Sequence, residues 1–263
     1  MVQADISLYA AKESGRNQYV SFSAELGDKV QRRMTIEHDL RQALRQGELQ
    51  LFWQPKVDIA SWKIVGAEAL MRWQRNGVLV PPAEFIPLAE ETGLIIQMSE
   101  WAIDEAARQA KRWKDSIGFD SSIAVNLPSR LFERDDLIDR IQDAVTNQGI
   151  SHHALQLEIT ETGLMKDLQG VIPALNRLTQ FGVEISIDDF GTGYSSLAYL
   201  TTLPISELKI DRSFVRDLGD TPQSSAVVSA IIALARALGL RVIAEGVEKA
   251  SQMEVLYNLG CHI

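Results

Sequence analysis

Two adjacent aspartates, Asp188 and Asp189, close an apolar-alternating run that begins at Val183. Neighbouring carboxylates repel each other unless a positive charge lies beside or between them. A Gly-Thr-Gly turn at 191–193 follows them directly and allows a loop to close over a bound molecule. The segment therefore predicts a metal site at the carboxyl end of a strand, with a gating loop attached.

Polar side chains recur at or just beyond the ends of the other predicted strands. In chain order they are Glu68 with Arg72, Asn126, Glu158 with Glu161, Lys209 with Asp211, and Glu245 with Glu248. A single one of them would be explained as a solvated strand end or a helix cap. Their recurrence favours one shared site, because acids inside apolar strands need partners or a metal ion when they are buried.

The predicted ligand set contains oxygen donors only, which suits Mg²⁺ or Mn²⁺ better than Zn²⁺. It comprises Glu68, Asn126, Glu158, Asp188, Asp189 and Glu245. With two adjacent aspartates we expect two ions, which would activate a water and stabilise a leaving oxygen. Lys209 lies among these acids either as their salt-bridge partner or as a group that positions the water and stabilises phosphoryl charge.

Strands alternating with helices are predicted along most of the chain, which indicates parallel βαβ units. The predicted strands cover residues 49–57, 64–73, 122–127, 155–160, 183–187, 207–210 and 241–244, and an eighth begins at 261. The predicted helices cover residues 33–45, 82–91, 99–113, 135–147, 168–180, 224–238 and 250–259, with Ser99 as an N-cap. This number of strands favours a TIM-type (β/α)8 barrel, whose active site lies at the carboxyl ends of the strands.

Composition excludes some classes of function. The 263 residues carry a net charge of −9, which argues against nonspecific binding of DNA or RNA. Cys261 is the single cysteine, so an internal disulfide is impossible and a reducing compartment fits. No signal peptide or membrane-length apolar run is visible, so we expect a cytoplasmic domain, although its parent protein could still be membrane-tethered elsewhere.

The blocks around the polar residues resemble one family. Glu68 opens the triplet Glu-Ala-Leu inside VGAEALMRW, the signature of EAL domains, which are phosphodiesterases that hydrolyse the bacterial second messenger cyclic di-GMP. Further blocks resemble the family in order: WQPKVD, AVNLPSRLF, LEITET, IDDFGTGYSSL, LKIDRSFV and VIAEGVE. The resemblance covers about residues 34–263 and implies a TIM-type barrel of the EAL kind.

The resemblance also implies roles for matching residues. The metal ligands are expected to be Glu68, Asn126, Glu158, Asp188 and Asp189, with Glu245 near the second ion and Lys209, Glu68 and Glu245 as catalytic groups. Substrate contacts are expected from Gln54, Arg72 and Asp211. Glu161 is expected to anchor the loop of Gly191, Thr192, Gly193 and Tyr194, with Glu248 in a similar regulatory position. The implied product is the linear dinucleotide pGpG, and the family commonly dimerises.

The first residues resemble the C-terminal end of a GGDEF (diguanylate cyclase) domain. The matching residues are Ala4, Asp5, Leu8, Tyr9, Ala11, Lys12, Gly15, Arg16, Asn17 and Tyr19. We therefore predict a GGDEF remnant over residues 1–24, a linker over 25–33 and the EAL domain over 34–263. The parent protein would then carry a GGDEF domain, with sensor domains also expected outside this chain.

The chain departs from the family pattern at two places. Pro128 stands where the family usually has a serine, and the chain stops at Ile263, before the family's last strand with its Gln-Gly pair. We therefore expect a barrel that is incomplete at its C-terminal end. The alternative function is a receptor that binds cyclic di-GMP without cleaving it. Such receptors typically lose metal ligands or the loop motif, whereas the ligand positions of this chain are filled, which favours hydrolysis.

Overall fold

The computed structural model describes residues 2–13, 19–193, 197–219 and 222–263. Two compact units can be distinguished, one formed by Met1–Gln50 with Arg72–Ile95 and the other by Leu51–Met71 with Ile96–Ile263. Tyr194 of the predicted loop and Gly15, Arg16 and Asn17 of the GGDEF-like stretch lie outside the described residues.

Within the described residues, eight strands form one sheet. They are β1 (Leu49–Val57), β2 (Ile64–Arg75), β3 (Val78–Val80), β4 (Ser122–Asn126), β5 (Leu155–Thr160), β6 (Glu184–Phe190), β7 (Glu207–Ile210) and β8 (Arg241–Ala244). The order is β1-β2-β4-β5-β6-β7-β8, with β3 on β2, and neighbours from β2 through β4 to β8 are parallel. Consecutive parallel neighbours with helices between them confirm the predicted TIM-type α/β fold.

Helices precede the first strand, follow the last one and occupy the connections between strands from β3 onward. They are α1 (Val2–Glu13), α2 (Ala24–Gln46), α3 (Pro82–Thr92), α4 (Leu94–Ile117), α5 (Leu137–Gln148), α6 (Glu161–Lys166), α7 (Leu168–Phe181), α8 (Leu197–Leu200), α9 (Arg212–Arg216), α10 (Pro222–Ala237) and α11 (Ala250–Leu259), with short 3₁₀ helices at Ser129–Glu133 and His152–Ala154. Helices α2 and α7 end at Gly47 and Gly182, as predicted, with left-handed φ angles of 70° and 100°. None of the described helices combines the length and apolarity needed to cross a membrane.

The unit of Met1–Gln50 with Arg72–Ile95 has its own buried aromatic contact. Trp73 packs edge-on against Phe85 at 5.9 Å between ring centroids, and its indole Nε1 donates to Glu48 at 2.9 Å. Ser23 caps α2 by accepting from the backbone N–H of Leu26 at 3.1 Å. Because α2 begins at Ala24, residues 25–33 of the predicted linker lie within a helix.

Strands β5 and β7 show how the other unit is built. Leu157 and Leu208 are fully buried in its apolar core, while Glu158 and Lys209, their neighbours along the chain, are buried as well. Successive side chains of a strand point to opposite faces. One face of the sheet therefore packs apolar side chains against the core, and the other carries buried charges.

Some sequence predictions were wrong. Ser99 is not an N-cap, because α4 begins at Leu94, directly after Gly93. Strand β6 does not stop at Ile187 but continues through the aspartates to Phe190. The last three residues form no strand. Instead, Ile263 O accepts from Ala244 N at 2.9 Å and His262 O from Ile59 N at 2.7 Å, two isolated bonds rather than a ladder.

Candidate metal and active site

The parallel register brings the predicted site residues to one edge of the sheet. Asn126 is in register with Glu158, and Thr160 with Asp188, so that the carboxyl ends of β4, β5 and β6 lie together. Lys209 on β7 is in register with Ile243 on β8, two residues before Glu245. The five strands β4 to β8 thus place polar residues in the same region, as the barrel prediction required.

Lys209 is the centre of this region. Its side chain is 1% exposed, and its Nζ lies 2.9 Å from Glu68 Oε2, 2.7 Å from Glu158 Oε2, 3.2 Å from Asp188 Oδ1 and 2.5 Å from Glu245 Oε1. One ammonium therefore faces four carboxylates. The surplus of buried negative charge is the condition under which divalent cations bind.

Two sets of three carboxylates can each hold an ion. Glu68, Glu158 and Asp188 form one set, and Asp188, Asp189 and Glu245 form the other. Within each set the ligand oxygens lie within 4.8 Å of one another, and Asp188 belongs to both. Asn126 supports the first set, because its Nδ2 donates to Glu68 Oε1 at 2.8 Å. This donor chemistry fits the hard cations expected from the sequence.

A β-bulge explains how both adjacent aspartates reach the site. In a regular strand Asp188 and Asp189 would point to opposite faces. The register of β6 on β7 shifts between Ile187 and Phe190, and Asp189 has a left-handed φ of 54°. The backbone N–H of Asp189 donates to Asp188 Oδ1 at 2.9 Å. Bulges re-aim side chains next to active sites, and this one brings two successive carboxylates together.

The electrostatics of the site follow from burial and from the excess of acids. Burial, followed by repulsion from Glu158, raises the pKa of Glu68. Burial also raises the pKa of Glu245, to about 7, although Lys209 acts in the opposite direction. Burial and the neighbouring Asp188 raise the pKa of Asp189. These carboxyl groups are held together against their mutual repulsion, which a divalent cation would relieve.

The lysines have the opposite effect on the innermost acid. Burial alone would raise the pKa of Glu158, but Lys209 and Lys56 outweigh it and lower that pKa. Burial likewise opposes the charge on Lys209, yet the four surrounding carboxylates raise its pKa above the usual value. These shifts favour the ionised forms of Glu158 and Lys209, which form an ion pair at 2.7 Å.

A second polar cluster lies next to the first and was not predicted. Lys56 Nζ donates to Gln156 Oε1 at 2.8 Å, Glu158 Oε1 at 3.0 Å and Glu207 Oε1 at 3.2 Å. Gln156 Nε2 also donates to Glu207 at 2.9 Å, and Arg241 Nε lies 3.4 Å from that carboxylate. The signal in the sequence is a charge or an amide inside each of four predicted strands, at Lys56, Gln156, Glu207 and Arg241.

The loop after the aspartates is attached to Glu161. This side chain is buried, and its Oε2 accepts from the backbone N–H of Gly191 at 2.7 Å. A Cβ on Gly193 would lie 2.7 Å from Glu161 Oε1, so only glycine fits there without a shift. Thr192 Oγ1 donates to the carbonyl of Asp189 at 2.8 Å. The described part of the loop is thus tied to Glu161 at one point and to Asp189 at another.

The remaining predicted residues occupy different positions. Gln54 and Glu248 line a cavity of about 560 Å³ together with Glu68, Lys209 and Glu245. Asp211 caps α9 by accepting from Ser213 N at 3.0 Å. Burial opposes its ionisation, but the Ser213 bonds lower the pKa of Asp211. Arg72 belongs to the unit of Met1–Gln50 with Arg72–Ile95, so its substrate role stays a prediction.

Comparison with known proteins agrees with this architecture. The sequence model described as "EAL domain" matches residues 37–263. The chain is 46% identical over 264 residues to MucR of Pseudomonas aeruginosa, named a bifunctional diguanylate cyclase/cyclic di-GMP phosphodiesterase, covering 100% of this chain and 38% of that protein. It is 39% identical to the cyclic di-GMP phosphodiesterase NbdA of the same species, covering 99% of this chain and 33% of NbdA.

A solved structure gives the same result. The structure described as "PaMucR Phosphodiesterase, c-di-GMP complex" superposes with a TM-score of 0.82 at 47% identity, covering 87% of this chain and 93% of that one. The chain spans between a third and two-fifths of the length of the two curated relatives. On the family match and these identities, the chain belongs to the EAL domain family.

Proposed function

We propose that this chain is a metal-dependent phosphodiesterase that hydrolyses cyclic di-GMP to linear pGpG. The observation that carries the proposal is the pair of overlapping carboxylate sets around Lys209. A domain that only bound the nucleotide would have no need for five buried or half-buried acids in two overlapping sets, with four of these acids around one lysine. Relatives named as cyclic di-GMP phosphodiesterases support the substrate class.

Each group has a proposed part in the reaction. Glu68, Glu158, Asp188, Asp189 and Glu245 would hold two Mg²⁺ or Mn²⁺ ions, with the amide of Asn126 as a further ligand. When bound, the ions would supply water activation and stabilisation of the leaving oxygen. Lys209 holds the attacking water and faces the negative charge that develops on the phosphoryl group. Water adds to phosphorus, the bond from phosphorus to the 3′ oxygen breaks, and that oxygen takes up a proton.

Substrate positioning is proposed for residues around the cavity. Gln54 lines it beside the acids and is placed to contact the nucleotide. Asp211, which caps α9, is proposed as a further contact. Glu161 would keep the loop of Gly191 and Thr192 in the position that lets Asp189 ligate the second ion. Loop position, and with it dimer state, would then be coupled to occupancy of the second ion.

We also propose that the chain is the EAL part of a longer, cytoplasmic signalling protein that dimerises and carries a GGDEF domain before residue 24. MucR aligns with the whole chain, including the residues before 37, and its name includes a diguanylate cyclase. Light scattering of the purified chain, and of the parent protein, would test the dimer. A monomer in both, at micromolar concentration and with metal and nucleotide present, would contradict it.

Product analysis tests the central proposal. The chain is incubated with cyclic di-GMP and Mg²⁺ or Mn²⁺, and nucleotides are separated by reversed-phase chromatography. We expect pGpG to accumulate with the unsubstituted chain and not with Glu68→Ala. Tight nucleotide binding without product under either metal would establish the receptor function instead.

A further inference from the structure

Lys56 is a buried charge to which the proposed reaction assigns no role. Its side chain is 8% exposed and reaches Glu158, which is 0% exposed, and Glu207, which is 4% exposed. Breaking up such a buried ion pair is costly, and replacing the whole group with apolar side chains is often neutral. Stability alone is therefore a weak reason for a lysine at this position.

The two oxygens of Glu158 are held by different lysines. Oε1 accepts from Lys56 at 3.0 Å, and Oε2 accepts from Lys209 at 2.7 Å. Oε2 is the oxygen on the side of Glu68, because Lys209 also binds Glu68 Oε2 at 2.9 Å. Lys56 thus binds Oε1, the oxygen of Glu158 that does not face the other proposed ligands.

Residues on other strands of the sheet determine where the Lys56 side chain lies. Its aliphatic stem passes Gly66 on β2, where a Cβ would lie 3.4 Å from Lys56 Cδ. Its ammonium is then enclosed by Gln156 and Glu207, each of which lies two residues before Glu158 or Lys209 on the same strand. The ammonium is therefore fixed by a layer of polar groups adjacent to the proposed ligands.

We propose that Lys56 is a positioning residue of the metal site: it fixes Glu158 Oε1 and so leaves Oε2 as the single oxygen that Glu158 presents to a divalent ion. Partners of metal ligands orient those ligands, and removing such a partner costs about 10–100-fold in metal affinity or activity. The inference rests on the proposed metal-dependent function and adds a residue that touches neither metal nor substrate.

The direction of the change in metal affinity distinguishes a role of Lys56 in orienting Glu158 from an effect of its charge. Lys56 is itself a cation, so its removal makes the site more negative and on charge grounds alone would strengthen binding of a divalent ion. If Lys56 orients Glu158, its removal weakens that binding. In a folded variant, therefore, neither the lost positive charge nor a general loss of stability would account for a fall in metal affinity.

Glu207 provides the control that separates positioning from folding. Lys56→Met leaves Glu207 with one cationic neighbour, Arg241, and on that account destabilises the fold. The double variant Lys56→Met/Glu207→Gln removes the charge of Glu207 as well, but still leaves Glu158 Oε1 without Lys56. Glu207→Gln alone keeps the contact between Lys56 and Glu158 and is the matched single variant.

The experiment measures Mn²⁺ binding by calorimetry and the free energy of unfolding in urea for the unsubstituted chain and the three variants. We expect the double variant to remain folded but to unfold at a lower urea concentration than Glu207→Gln, because the buried Glu158 Oε1 has lost Lys56. We expect it to bind Mn²⁺ about 10–100-fold more weakly than Glu207→Gln does. Glu207→Gln should bind Mn²⁺ within about threefold of the unsubstituted chain.

Three results would overturn the inference, and they are distinguishable. Mn²⁺ binding by the double variant as tight as that of the unsubstituted chain, or tighter, removes the positioning role and leaves the proposed function intact. Failure of the unsubstituted chain to bind Mn²⁺ overturns the proposed function, and the inference with it. Loss of Mn²⁺ binding in Glu207→Gln as well would assign the effect to the polar layer rather than to Lys56, which also overturns it.

Discussion

The two buried lysines, Lys209 and Lys56, lie in the same interior but have different surroundings. Lys209 faces four carboxylates. Lys56 faces two carboxylates and an amide, and Arg241 adds a second cation to one of those carboxylates. Each carboxylate that Lys56 contacts has a second cation beside it, Lys209 at Glu158 and Arg241 at Glu207, although Arg241 also pairs with Glu184. The Lys56 cluster is therefore the more balanced of the two, whereas four carboxylates share the ammonium of Lys209. The comparison indicates that a cluster built to bind cations differs from a supporting one in its unmet negative charge.

Asp188→Asn tests the comparison with the largest expected effect. Asp188 belongs to both carboxylate sets, so its loss should reduce Mn²⁺ binding and cyclic di-GMP hydrolysis by more than the roughly 100-fold that an outer partner costs. Calorimetry and product analysis measure the two effects. Glu207→Gln, in the balanced cluster, is the control and should retain both activities. Equal losses of Mn²⁺ binding and hydrolysis in the two variants would show that the two clusters do not differ in function.

Lys209→Met should lower turnover without lowering the affinity for the metal ion. The ammonium of Lys209 competes with a cation for the same four carboxylates, so its removal should leave Mn²⁺ affinity unchanged or higher. Turnover should fall about 10²–10³-fold, the usual cost of losing a charge-stabilising donor. Single-turnover kinetics at saturating Mn²⁺ measure this. Weakened Mn²⁺ binding, as expected for the double variant at Lys56 and Glu207, would show that the two lysines play the same part.

Glu161→Ala should have a smaller effect. It removes the acceptor for the backbone N–H of Gly191, a charged hydrogen bond worth about 1.5–3 kcal/mol, and frees the loop next to Asp189. We expect a lower melting temperature and about tenfold lower turnover that excess Mn²⁺ partly restores. Glu133→Ala, at an exposed acid, is the control. Unchanged metal affinity and turnover would exclude a link between this loop and the second ion.

Local signals in the sequence were enough for much of the fold. Apolar alternation located the parallel strands, and glycines located the ends of the helices. The Asn76-Gly77 pair is a further local signal, one for a turn that the predicted strands did not include. Both residues have left-handed φ angles, 48° and 79°, and they join β2 to the antiparallel β3.

Contacts between distant strands were harder to predict. Lys56 and Glu158 are 102 residues apart, and their contact depends on the strand order and register of the whole sheet. The bulge at Asp189 could not be read from the alternation of apolar residues either, because a regular strand and a bulged one share the same pattern up to the bulge. The acids of the site were predictable individually, but the way the polar groups support one another was not.

The backbone of Asp189 has a consequence for evolution. A residue other than glycine in the left-handed region costs on the order of 1 kcal/mol, so Asp189→Gly should relieve strain and raise the melting temperature of the metal-free protein. The same change removes a carboxylate from one of the two sets. Selection for heat resistance alone would therefore favour loss of this aspartate, and its retention would mark a trade-off in which stability is given up for activity.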